Sequence, residues 1–336
     1  MLWAEHVAKN TARERDDVFN EVARHFNDAE LVELTGVCGL FAFNNRFQDS
    51  MRLPIEETGE VDKIRASARA DPHRLKTFVE SLYADWPQHF VVPDAGTSAI
   101  AIDPGRREGT QASSGARVPL LDPAQAFGET AAFFDATQRF LEAMPNAVRL
   151  WAHIPHVAKM VVLFWLVLER TGAGGVLTGR IKVLALIRTS YVNACDYSLA
   201  HYAVLGARVG VTTAQSAVLG TDDGASAACF SPAEKAAIAW AGLVALNTAK
   251  RRDDAFAELK LHFDDAEVVE LTGTCALCNM LNLVHNALRV PAESAAEIAA
   301  FNRSMQIDAA RVKAYIGDML ADWPLEFPVP DAGARG

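Results

Sequence analysis

One stretch of the chain occurs twice. RDDVFNEVARHFNDAELVELTGVC at residues 15–38 returns 237 residues later as RDDAFAELKLHFDDAEVVELTGTC at residues 252–275. The same spacing pairs Trp3 with Trp240, Asn45 with Asn282 and Pro54 with Pro291. It also pairs the ADWP at residue 84 with the one at residue 321, and the VPDAG at residue 92 with the one at residue 329. Residues 1–96 therefore repeat residues 238–333 without a gap. A repeat of this length marks duplicated structural units rather than a short-period array. Residues 117–237 have no counterpart before Met1, so the first copy matches only the back half of a unit. The expected organisation is a partial repeat at 1–96, a linker at 97–116 and a complete unit at 117–336. The apolar stripe of the half copy then needs a surface to cover it, on the complete unit or on another chain.

The elements read as helices. SPAEKAAIAWAGLVALN begins with Ser231 as N-cap, Pro232 at the first helical position and Glu234 completing a capping box. Its Ile238, Ala241, Val244 and Ala245 share one face. DAEVVELTGTCALCNMLNLVHNAL reads as a second helix capped by Asp265, with Gly273 inside it. Residues 93–119, rich in Gly, Ser, Pro and Ala, read as a surface linker. Strand-like alternation is nearly absent, so the fold class is all-α. The net charge is −10 with no basic cluster, which argues against nucleic acid and anionic membranes as partners. The longest apolar run, MVVLFWLVLE at 160–169, is too short to span a bilayer. The charged N-terminus lacks a signal-peptide core, and five cysteines without a framework spacing fit a reducing compartment. A cytoplasmic location is expected. No Gly-rich phosphate loop, haem signature or flavin signature is present, and no cofactor or metal is expected.

Chemistry concentrates in SYVNACDYSLAHY at 190–202. Asn193 reads as an N-cap, which puts Cys195 at the second helical position or at a kink. Helix-terminal amides there lower a thiol pKa, while Asp196 opposes them. The pattern LIRTSYVNACDY…H, the upstream MPNAVRLWAHIPHVAKMVVLF at 144–164 and the downstream SPAEKAAIAW and DDAFAELKLHFDDAEVVELT resemble the carboxymuconolactone decarboxylase / alkylhydroperoxidase D superfamily. The resemblance covers about residues 117–336, with residues 1–96 as the back half of a second unit. It implies an all-helical bundle that is usually oligomeric, so a homo-oligomer is expected, with a small molecule as its other partner. The peroxidase members carry Cys-x-x-Cys-x-x-x-His and an upstream glutamate. Here Cys195 matches the first cysteine and Ser198 replaces the second. Tyr202 stands at the histidine position, His201 comes one residue early, and Val183 replaces the glutamate. A serine cannot close the disulfide, so a dithiol cycle at this motif is excluded. In one straight helix His201 lies about a third of a turn off the Cys195 face, so a direct bond between them is not expected.

Three functions follow. The first is a cofactor-independent enzyme of the carboxymuconolactone decarboxylase kind. It would act on a small carboxylated or carbonyl substrate by decarboxylation, isomerisation or ring opening. His201 would be its acid/base, with Ser198 and Tyr202 orienting the substrate. The second is a one-cysteine hydroperoxide reductase acting through Cys195, resolved by an external thiol or by Cys278. The third is a non-catalytic binding or assembly protein with a degenerate site. His153, His156 and Asn282 are further candidates to line the pocket. The Cys275–Cys278 pair reads as core, because the first copy has Phe41 in place of Cys278. Asn282 and Asn45 read as buried amides that need partners.

Overall fold

The computed structural model describes residues 1–66, 71–87, 90 and 115–324. Among them the regular elements are helices, and the only bridge is an isolated pairing of Thr171 with Gln306. The first copy forms α1 (Leu2–Ala8), α2 (Asp16–Val22), α3 (Asp28–Met51), α4 (Thr58–Ala66) and α5 (Pro72–Asp85). There follow α6 (Gly128–Leu141), α7 (Asn146–Trp151), α8 (Pro155–Glu169), α9 (Gly179–Val192), α10 (Asp196–Arg208) and α11 (Thr213–Val218). The second copy forms α12 (Pro232–Ala245), α13 (Asp253–Lys260), α14 (Asp265–Leu288), α15 (Ala295–Phe301) and α16 (Ala309–Ala321). No helix is long and apolar enough to cross a membrane among the described residues.

The repeat holds at the level of single bonds. α3 and α14 each have 24 residues and begin and end at equivalent positions. Each starts with a capping box, Asn27 with Glu30 and Asp264 with Glu267, so the cap of α14 is Asp264 and not Asp265. Each ends in a left-handed arginine, Arg52 and Arg289. The Trp3 indole donates to Thr35 Oγ1 at 3.0 Å, and the Trp240 indole donates to Thr272 Oγ1 at 2.9 Å. The predicted Ser231, Pro232 and Glu234 start of α12 is present as a full capping box.

The half copy covers itself within the chain. α3 packs antiparallel on α14: Gly39 lies against Met280 and Val284, while Phe47 reaches Gly273. A Cβ on Gly39 would come within 3.0 Å of Val284, so glycine permits the close approach. Two pairs of contacts run across this join in both directions, as a two-fold relation requires. Arg52 donates through Nε to Lys250 O at 3.0 Å, and Arg289 donates through Nε to the equivalent Arg13 O at 3.1 Å. The Trp86 indole donates to Ala309 O at 3.1 Å, and the Trp323 indole donates to the equivalent Pro72 O at 2.9 Å. The tryptophans of the ADWP copies thus pin each half to the other.

The two copies differ on one face. Val37, Leu40 and Phe41 of α3 are 45%, 44% and 62% exposed, whereas their counterparts Thr274, Leu277 and Cys278 are fully buried. α9 and α10 lie over that face of α14. For the same reason Asn282 is buried but Asn45, expected to be buried, is exposed. The linker expected at 93–119 lies mostly outside the described residues. Its end does not run over the surface: Val118 is buried, and the Arg117 guanidinium bonds Ala12 O and Ala287 O at 2.7 and 2.9 Å.

The reciprocal arginines give a measurable asymmetry. Arg289 is 15% exposed and Arg52 is 54% exposed. Arg289→Met is expected to cost about 1.5–3 kcal/mol in chemical denaturation, the range for buried bonds to a charged donor. Arg52→Met should cost under about 1 kcal/mol. Equal costs would show that the join is not graded by burial.

Candidate functional site

The site is built where α9 turns into α10. Asn193 closes α9, Ala194 takes φ +48°, and Cys195 itself is the residue before the first turn of α10. The expected start at Asn193 is therefore displaced, because Asn193 is used elsewhere. Its side-chain amide donates to Asn279 Oδ1 at 3.0 Å. Its carbonyl accepts from the amides of Asn10 and Asn286 at 2.7 and 2.8 Å. These bonds hold the left-handed turn at Ala194, a conformation unfavourable for alanine.

Cys195 is fully buried, with Sγ 3.4 Å from Ser198 Oγ. Burial pushes its thiol up to about 11, against the smaller lowering effect of the Ser198 bond, so it is a thiol at neutral pH. Burial likewise pushes Cys275 up to about 12 and Cys278 well above the usual range.

His201 points away from Cys195 into a different network. Its Nε2 is 2.8 Å from Glu293 Oε2, and its Nδ1 is 2.9 Å from the Asn302 side-chain nitrogen. Glu293 Oε1 also accepts from the Tyr197 hydroxyl at 3.0 Å and from the Asn146 backbone N–H. Burial alone would raise the Glu293 pKa. The bonds from His201 and Asn146 outweigh that and hold it below the usual carboxylate value, so it stays ionised. Asn302 Oδ1 accepts from Arg170 at 2.9 Å, which turns its NH2 toward His201. The network thus assigns an acceptor at His201 Nδ1 and a proton at Nε2, facing Glu293.

A second polar group lies around Tyr202. Its hydroxyl donates to Glu169 Oε1 at 2.6 Å, and the Trp165 indole donates to Glu169 Oε2 at 2.6 Å. Burial raises the Glu169 pKa to about 7, against the lowering effect of these bonds and of Arg170 and Lys182. The carboxylate beside Tyr202 thus comes from the end of α8, while Val183 is fully buried in the core.

α14 supplies the floor. Cys278, Asn282 and His285 follow one another at helical spacing on one face. Asn282 Nδ2 donates to Ser190 Oγ at 3.3 Å, and Cys278 Sγ lies 3.5 Å from the same oxygen. Asn282 Oδ1, Asn279 Nδ2 and both ring nitrogens of His285 are buried without a hydrogen-bond partner. The His285 ring packs on Tyr197 at 4.6 Å, and burial lowers its pKa to about 3. Such orphaned atoms are costly unless a polar guest satisfies them. No group of three or more His, Cys, Asp or Glu converges at metal-ligand spacing among the described residues.

Of the residues expected at the site, Cys195 and Ser198 meet directly, and Asn282 joins Cys278 and Ser190. His201 and Tyr202 serve the two separate carboxylates. His153 and His156 engage other partners, Pro119 O at 2.8 Å and Glu129 at 3.9 Å. Glu293, Asn302 and Glu169 were not expected. Glu293 follows α14 in VPAES, and the sequence marks only the capping box that Ser294 and Glu297 form beside it.

No family model matches the chain, and no curated protein matches it. Among solved structures it is similar to the debrominase Bmp8. The complex of that protein with 2,3,4-tribromopyrrole is 19% identical at a TM-score of 0.43, covering 55% of this chain and 94% of the other. The apo form is 21% identical at 0.42, covering 54% and 95%.

Two measurements follow. Alkylation of the native protein, read by mass spectrometry, should label exposed Cys229 first and half-buried Cys38 more slowly. Cys195, Cys275 and Cys278 should stay unlabelled until unfolding; early labelling of Cys195 would contradict its burial. The second measurement concerns Glu169. Its folded pKa of about 7 lies above the ordinary 4.5. Between those values the folded chain holds a proton that the unfolded chain has lost, so this group's contribution falls as pH rises through that window. His285, with a lowered pKa, acts in the opposite sense as pH falls. The difference between Glu169→Gln and wild type isolates the carboxyl. It should shift in favour of the variant by up to about 3 kcal/mol from pH 4.5 to 7. A pH-independent difference would contradict the raised pKa.

Proposed function

We propose that the chain is an enzyme of the carboxymuconolactone decarboxylase-like kind. It would move protons on a small organic substrate with His201 as acid/base. Glu293 is the positioning residue for the imidazole. The observation that supports this reading is the Glu293–His201 pair, 6% and 7% exposed. Burying a carboxylate costs several kcal/mol unless its partners are well placed. This one fixes the tautomer of the histidine beside it by accepting the Nε2–H.

In a decarboxylation the C–CO2 bond breaks and its electron pair passes into an adjacent carbonyl as an enolate. A proton then returns to carbon from the imidazolium. In an isomerisation the neutral ring takes the proton first. The isomerisation needs the lone pair on Nδ1 and the decarboxylation needs a proton there; the Asn302 amide now sits against that nitrogen, so Asn302 must turn aside when substrate binds. The thiol route is less favoured, because Cys195 is buried, protonated and held by Ser198 rather than by a basic group. A second reading, a binding protein without turnover, is favoured by one observation: both ring nitrogens of His201 are already occupied within the chain.

The test is CO2 release from a carboxymuconolactone, measured for wild type and three variants. His201→Gln should lower kcat at least about 100-fold, the ordinary worth of a general acid/base. Glu293→Gln should lower kcat and move the pH profile, and Ser198→Cys should leave activity largely intact. A ligand-dependent rise in Tm without turnover would select the binding reading. Peroxide consumption that vanishes in Cys195→Ser would select the thiol route.

A further inference from the structure

A cleft of about 290 Å³ opens between the C-terminal ends of α6 and α8 and the segment joining α15 to α16. Phe301, one of its lining residues, also meets the His201 ring in a T-shaped contact with centroids 5.6 Å apart. The cleft volume is near the lower end of ligand pockets, about 300–1,000 Å³. Three arginines line it: Arg170, Arg303 and Arg311. Phe140, Leu166, Phe301 and Ile307 form an apolar wall.

The charge of this cleft is not balanced. Arg170 is 94% buried, being 6% exposed, and makes no ion pair among the described residues. Its guanidinium donates to Ser304 O at 2.5 Å and to Asn302 Oδ1 at 2.9 Å, and stacks over Phe301 at 5.3 Å. The neighbouring Glu169 acts on it through space but makes no ion pair with it among the described residues, its oxygens being turned to Tyr202 and Trp165. Arg303 and Arg311 share one carboxylate, Glu142. The acidic residue on the cleft wall, Asp308, uses Oδ1 to accept the Ala310 N–H at the start of α16. A buried cation with no counter-charge in contact is expensive, and a ligand carboxylate lowers that expense with good geometry.

We propose that this cleft is a binding site for a small organic carboxylate, with Arg170 as its anchor, Arg303 and Arg311 at its rim and the apolar wall against its ring. A planar carboxylate matches the guanidinium fork. An apolar body attached to it uses the aromatic and aliphatic wall, which a bare inorganic anion does not. Asn302 is shared between Arg170 and His201, so occupancy of the cleft is also read at the His201 ring. The site stands apart from the acid–base reading, because it is measured by binding and not by turnover.

The experiment is calorimetric titration of the full chain with benzoate, beside inorganic phosphate, together with nitrogen NMR of the histidine rings. Saturable 1:1 benzoate binding is expected, at least ten-fold tighter than phosphate, with a shift confined mainly to His201. Arg170→Met should abolish it while keeping a cooperative unfolding transition. Should that variant not fold, Arg311→Gln at the rim decides, by weakening benzoate several-fold with the fold intact. Absence of saturable binding, equal affinity for phosphate, or undiminished binding in a folded Arg170→Met or Arg311→Gln variant overturns the proposal.

Discussion

α14 is enclosed on every side from Glu270 to Leu288, yet it carries threonines, asparagines, a histidine and a glutamate. A helix buried all round ordinarily has an apolar surface throughout. This one can be buried only if its polar side chains find partners, and the surrounding helices are placed to supply them. Thr272 takes the Trp240 indole, Asn279 takes Asn193, and Asn286 reaches Asn10 and the Asn193 carbonyl. The face turned to α9 and α10 meets this demand least completely, and there the candidate site lies.

The charged end of α14 sets the position of Glu169 and of the cleft. Lys182 of α9 pairs with Glu270 at 2.5 Å and also donates to the carbonyls of Leu168 and Arg170. Glu270 in turn accepts the backbone N–H groups of Val176 and Leu177. Burial lowers the Lys182 pKa, and Glu270 opposes that. The segment after α8 is therefore fastened at both its ends, and Glu169 and Arg170 are delivered to opposite neighbours. Glu169 faces Tyr202, and Arg170 faces Asn302. A pair removed from one side leaves an uncompensated buried charge, which is costly in any protein.

Much of the fold was legible because local chemistry repeats. The 237-residue spacing gave two helices of equal length with equivalent caps, and the Ser231 capping box lies where the motif puts it. The join could be read only as a need for cover. Its reciprocal bonds from Arg52, Arg289, Trp86 and Trp323 come from residues that look like ordinary surface or packing positions. The site was less legible. Cys195, Ser198, His201 and Tyr202 carry a motif, but their partners Glu169, Glu293 and Asn302 lie 33 to 101 residues away and belong to no pattern. The cap shift at Cys195 has the same origin, since Asn193 is engaged by residues from both copies. Asn45 and Asn282 occupy equivalent positions but have different environments, which depend on the packing of α9 and α10.

The reciprocal join also has a bearing on connectivity. The two copies are held by the α3–α14 face and by a matched clasp at each end of it, contacts made through surfaces and not through chain continuity. The covalent link between the copies adds effective concentration to that face. A nick within it leaves two fragments whose complementary surfaces are intact, so the chain is suited to reassembly from separate pieces.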